Sequence, residues 1–117
     1  MPTFKLKRIY ETPDKADGYR VLVDRLWPRG VKKENAQLNE WLKNLAPSTE
    51  LRKRYHQGLE NWDDFKREYD LEIESNKDIN SIIKRLKEEN VVTLLYAAHN
   101  KEHNNAKALK EYLEAHF

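Results

Sequence analysis

At 117 residues the chain has the length of one domain with a modest buried core. Charged residues make up 36% of it while the formal net charge is only +2, so it lacks the one-sided basic balance of a dedicated nucleic-acid binder. It contains no cysteine, which excludes disulfides, thiolate catalysis and cysteine-ligated metal, and its 3 Trp, 6 Tyr and 3 Phe set it apart from disordered chains.

Phe4–Tyr10 roughly alternates apolar and basic residues and is expected to be a half-exposed strand, its lysines suited to a sheet edge. Thr12–Gly18 is dense in turn formers. Tyr19–Asp24, built on Val21-Leu22-Val23, is the second strand. Asp24-Arg25-Leu26-Trp27-Pro28-Arg29-Gly30 follows, a turn halted by Pro28 and Gly30 that carries two guanidinium groups, a carboxylate and an indole. Leu38, Trp41, Leu42 and Leu45 fall at helical spacing and predict an amphipathic helix ended before Pro47. Ser48 is placed to cap a further helix with Glu50 in its first turn, and Gly58 to stop it. Asn61 caps a helix carrying Trp62, Phe65, Tyr69 and Ile73. Asp78 caps another carrying Ile79, Ile82, Ile83 and Leu86. Val91–Ala97 is the most apolar run, and its β-branched start predicts a central strand buried on both faces. Asn104 or Asn105 opens a last helix with Ala106, Leu109, Tyr112, Leu113 and Phe117 inward.

This order predicts an α/β fold: a small sheet of about three strands, the two central ones parallel through a helical crossover, covered by four to five helices. One domain over residues 1–117 is expected. No stretch has the character of a signal peptide or a membrane span, so a soluble cytoplasmic protein without a membrane partner is expected.

Parallel strands bring their C-terminal ends to one sheet edge, where open α/β folds bind ligands. The turn after the second strand then faces the loop after the third. That juxtaposition gathers Asp24, Arg25, Arg29, Tyr96, His99, His103 and Asn104, with Lys43, Ser48 and Arg52 as a second set from the helical segment. Arginine forks and a helix N-terminus suit a phosphate or carboxylate, so a small anionic molecule is the expected partner. Asp24 and His99 are the candidates for moving protons. Arg25, Arg29, Lys43, Ser48, Arg52, Tyr96, His103 and Asn104 are the candidates for holding the ligand.

The same residues also admit a structural reading. In it Arg25 and Arg29 pair with Asp24 and with helix carboxylates, Trp27 anchors the core and Ser48 is only a cap. His99 and His103 are four residues apart, but on a loop with no third ligand, so no metal is expected, nor any cofactor. With only 3 glycines there is no glycine-rich phosphate loop. Two functions remain: an enzyme acting on a small phosphorylated or carboxylated molecule, or a non-catalytic module for nucleotide, nucleic acid or protein. Interleaved acidic and basic residues disfavour nucleic acid.

The string Asp17-Gly18-Tyr19-Arg20-Val21-Leu22-Val23-Asp24-Arg25-Leu26-Trp27-Pro28-Arg29-Gly30 resembles the YeaO-like family of small bacterial proteins. Trp41–Ser48, Glu50-Leu51-Arg52, Thr93–Ala98 and Glu102–Ala106 carry the resemblance further, from about Phe4 to Leu113. It implies a single α/β domain and a bacterial cytoplasmic setting, and supplies no function, because the family is a domain of unknown function. Its motif positions here are Asp24, Arg25, Trp27, Pro28, Arg29, Trp41, Lys43, Ser48, Arg52, Tyr96 and Asn104. His99-Asn100 departs from the family's usual basic residue followed by Asp. This departure counts against any mechanism that needs a carboxylate at position 100.

Overall fold

A four-stranded sheet, parallel throughout, organises residues 2–117, the part of the chain that the computed structural model describes. Its strands are β1 (Thr3–Arg8), β2 (Tyr19–Leu22), β3 (Glu40–Trp41) and β4 (Val91–Tyr96), in the spatial order β1-β4-β2-β3. The helices are α1 (Lys33–Ala36), α2 (Thr49–His56), α3 (Trp62–Ser75), α4 (Ile79–Leu86) and α5 (Asn105–Ala115). The fold is α/β, as the order of elements predicts. β4 lies between β1 and β2 and is parallel to both, with Leu94 in register with Leu6 on one side and Val21 on the other.

Side chains of a strand alternate between the two faces, and here each face has its own core. Phe4, Val21, Val23, Val92, Leu94 and Tyr96 point to one side. There they meet Leu51 of α2, Phe65, Tyr69 and Ile73 of α3, Ile82 and Leu86 of α4, and Leu109 and Leu113 of α5. Leu22 and Leu95 point to the other side, where Ile9, Ala36, Trp27, Val31, Leu38 and Trp41 form a thinner cover. Burying a side chain of this size stabilises by about 1.5–3 kcal/mol, so the thick helical layer carries most of the fold.

The thin side also holds an ionic cluster. Asp17, 6% exposed, accepts from Arg20 Nη1 at 2.5 Å, Lys7 Nζ at 3.1 Å and the Asp14 N–H at 3.0 Å. Burial alone would raise the Asp17 pKa, but these donors hold it below the usual carboxylate range. Arg20 also donates to the Ala36 carbonyl at 2.8 Å, anchoring the end of α1. Gly18, at φ +64°, lets the chain pass from this cluster into β2, because a Cβ there would lie 2.5 Å from the Val91 carbonyl oxygen.

Three of the expected caps form as hydrogen bonds. Ser48 Oγ accepts from the Leu51 N–H at 3.2 Å, Asn61 Oδ1 from Asp64 at 2.8 Å and Asn104 Oδ1 from Lys107 at 2.8 Å. Asp78 occupies the N-cap of α4, but its side chain makes no capping bond. One expected element is corrected. Leu38–Leu45 is not an amphipathic helix: Glu40–Trp41 is β3 and Lys43–Leu45 a single 3₁₀ turn. Leu38 and Trp41 join the thin side of the sheet whereas Leu42 and Leu45 join the thick side, so the segment wraps around the sheet's edge. This adds a fourth strand to the sheet.

Candidate functional site

The turn Asp24–Gly30 begins where β2 leaves the sheet. The Val23 N–H still bonds the Leu95 carbonyl at 3.1 Å, and Asp24 then continues the ladder with its side chain. Asp24 Oδ2 accepts from the Ala97 N–H at 2.9 Å, just past β4. Asp24 Oδ1 accepts from Asn105 Nδ2 at 3.0 Å, and the same amide donates to the Val23 carbonyl at 2.9 Å. Trp41 Nε1 donates to the Asp24 carbonyl at 2.7 Å. One residue thus fastens together the ends of β2 and β4, the start of α5 and the edge strand β3. Burial pushes the Asp24 pKa above the ordinary carboxylate range, against the lowering pull of the Asn105 and Ala97 bonds and the Arg52 charge.

Beyond this clamp the turn opens on a cleft of about 380 Å³. Arg25 is half-buried and donates from Nε to the Pro47 carbonyl at 3.2 Å and from Nη2 to the Ala46 carbonyl at 3.0 Å. Arg29 is exposed, and its backbone carbonyl accepts from the Tyr10 hydroxyl at 3.1 Å. Arg52 reaches the cleft from α2. Among the described residues, no carboxylate forms an ion pair with Arg25, Arg29 or Arg52. The wall therefore carries three guanidinium groups against one carboxylate, Asp24, whose two oxygens are already engaged.

Trp27 is a packing residue as well as a wall. Its Nε1 donates to the Val31 carbonyl at 2.7 Å, and its ring meets Trp41 edge-on at 5.4 Å. His103 lies on the opposite lip, exposed, with its ring stacked on Trp62 at 4.7 Å. Asn104 is buried at the start of α5 and donates from Nδ2 to the Asn100 carbonyl at 2.9 Å.

The structure therefore brings Asp24, Arg25, Arg29, Arg52, His103 and Asn104 around one cleft. It does not bring the other candidates to its wall. Lys43 lies over the Trp41 ring at 5.3 Å, beside a separate polar depression. Ser48 donates from Oγ to Glu72 Oε2 at 2.6 Å while capping α2. Tyr96 is buried on the helical face of the sheet. His99 is exposed and stands outside the cleft lining, apart from Asp24. Among the described residues no three His, Asp or Glu side chains are grouped to hold a metal ion, and no helix is long and apolar enough to cross a membrane.

Among the cleft residues that lie outside the candidate set, two bear directly on its geometry. Asn105 was visible only as an alternative cap, yet it holds Asp24. Tyr10 was read as a strand end, and the signal for it was positional: β1 is parallel to β4, so the residue just past β1 emerges at the same edge as Asp24 and Ala97.

A small parallel α/β fold with a cleft at the strand C-termini is the class this architecture defines. The family model that matches residues 3–117 carries the description "Inactive DUF488-N3 subclade", and the chain belongs to this family. It is 39% identical to the uncharacterised protein YeaO of Escherichia coli strain K12 over 93% of this chain and 95% of that protein. It is 36% identical to the uncharacterised proteins Mb3100c of Mycobacterium bovis and Rv3073c of Mycobacterium tuberculosis, over 93% of this chain and 92% of theirs. The resemblance to YeaO-like proteins read from the sequence thus holds over nearly the whole chain. No solved structure matches it.

Proposed function

We propose that the cleft binds a small anionic molecule, bearing phosphate or carboxylate, through Arg25, Arg29 and Arg52, and that it does so without catalysis. The observation that carries this reading is three guanidinium groups on one cleft, none paired with a carboxylate among the described residues. Guanidinium forks match phosphate and carboxylate oxygens, and a concave site excludes competing water. Asn104 and Asn105, also on the wall, belong to the α5 N-terminus and add its partial positive charge.

Asp24 and His99, the residues that the sequence offers for moving protons, are not placed to do so, and of the imidazoles on the wall His103 is stacked on Trp62. Both Asp24 oxygens accept hydrogen bonds from the fold, Ser48 is bonded to Glu72, and His99 stands outside the cleft. The word "inactive" in the family description favours the same conclusion. A bacterial cytoplasmic setting is supported by the bacterial relatives and by the absence of cysteine.

Thermal-shift and calorimetric titrations with phosphate, sulfate and simple phosphomonoesters test the reading. The wild type is expected to be stabilised by the anions. Arg29→Lys, which keeps the charge but loses the fork, is expected to bind about tenfold or more weakly with an unchanged melting temperature, because that guanidinium bonds to no other group among the described residues. Absence of any anion-dependent stabilisation of the wild type would refute the proposal.

A further inference from the structure

Resting on the anion-binding reading, we infer that the ligand of this cleft is a flat aromatic body carrying one anionic group, of the mononucleotide class rather than a bare inorganic anion. Most of the exposed surface of the cleft wall is apolar. A hydrated phosphate or sulfate would satisfy the arginines and leave that surface wet. A volume of about 380 Å³ lies in the range filled by organic ligands and is far larger than an inorganic anion needs.

Tyr10 and Leu26, 47% and 60% exposed, are two of the four large apolar side chains that stand exposed among the described residues, and both line this cleft. Deeper in, Tyr55 and Phe65 line it with rings 4.7 Å apart. Tyr10 is also held in place: its hydroxyl donates to the Arg29 carbonyl at 3.1 Å, and Arg8 lies 5.1 Å from its ring centroid. A ring fixed beside a cationic residue loses little conformational freedom when a planar group stacks on it. Charge and ring are contributed by joined residues, so a single small molecule with both features meets both. The donor-rich side of the cleft takes the anion, and the aromatic lip takes the body.

Calorimetric titration at constant ionic strength tests the inference with five probes: inorganic phosphate, ethyl phosphate, phenyl phosphate, adenosine 5′-monophosphate and adenosine. Phenyl phosphate and the mononucleotide are expected to bind about tenfold or more tightly than ethyl phosphate, as stacking on an aromatic side chain dictates. Tyr10→Ser combined with Leu26→Ser is expected to lower the affinity for inorganic phosphate no more than Tyr10→Phe does, a variant that loses only the hydroxyl bonded to the Arg29 carbonyl, and to abolish the advantage of the aromatic compounds. Tyr10→Phe, which keeps the ring, preserves it, and melting curves of each variant check that it folds. If ethyl phosphate binds as tightly as phenyl phosphate, the anion reading stands and this inference falls. An advantage that survives the double substitution also overturns it. If adenosine binds as well as its monophosphate, or if no phosphate compound binds, both fall.

Discussion

Arg25 and Arg29 lie four residues apart on one turn, but of the two only the Arg25 guanidinium is bonded to the fold among the described residues, and replacing each with lysine tests the different duties that we propose for them. Arg25 donates to the Pro47 and Ala46 carbonyls at 3.2 and 3.0 Å, tying the turn to the segment that leads into α2. A lysine ammonium keeps the charge but is a point donor on a flexible stem, and it cannot reach both carbonyls in the geometry of the fork. Losing one charge-assisted bond costs about 1.5–3 kcal/mol, reduced to about 1–2 kcal/mol because this side chain is only half-buried. For a domain of this size that corresponds to a melting temperature lower by roughly 3–10 °C. Arg25→Lys is therefore expected to lose stability and anion affinity together, whereas Arg29→Lys loses affinity alone. Differential scanning calorimetry without ligand, followed by phosphate titration of both variants, makes the comparison. Equal melting temperatures for the two variants would refute the division of labour.

Two further substitutions probe the scaffold. Gly18→Ala places a Cβ 2.5 Å from the Val91 carbonyl at a positive φ, and is expected to lower stability by about 1–3 kcal/mol in urea denaturation. Asp17→Asn leaves the buried Arg20 and the partly buried Lys7 without their carboxylate and is expected to cost about 3–5 kcal/mol at neutral pH. Because the folded Asp17 pKa is lowered, its contribution is present above the unfolded value of 3.8 and is lost as pH falls through the folded one. The gap between wild type and Asp17→Asn should therefore narrow in acid denaturation profiles below that pH, and a gap that is constant with pH would disprove the ionic role.

What was legible in the sequence was whatever a local pattern encodes. Val21-Leu22-Val23 and Val91–Tyr96 are strands because β-branched and leucine side chains serve two buried faces at once, and the structure uses both faces of each. Ser48, Asn61 and Asn104 announce helix starts because their side chains bond the free N–H groups of the first turn. Leu38, Trp41, Leu42 and Leu45 misled because a chain crossing from one face of a sheet to the other can reproduce helical spacing by coincidence. Nothing local says that Leu38 and Leu45 belong to different cores. The Asp24–Gly30 turn was legible as a charged strand end. The direction taken by the loop after Ala97 was not, since it follows from the Asn100 and Asn104 turn bonds, and it leaves His99 outside while His103 reaches the lip.

The position of β4 between β1 and β2 has a consequence for how the protein is made. A chain leaving the ribosome has produced β1, β2, β3 and four helices before residue 91 emerges. Until then β1 and β2 have no bond to each other, and each offers an open edge and an apolar face to other nascent chains. Insertion of β4 closes both edges in one step and delivers the Ala97 N–H and Asn105 to Asp24. Scaffold and cleft are therefore completed together, by the same late segment. A chain stalled before Val91 would carry Arg25, Arg29 and Arg52 but lack the bonds that fasten their turn, so anion binding of the kind proposed would require the finished molecule.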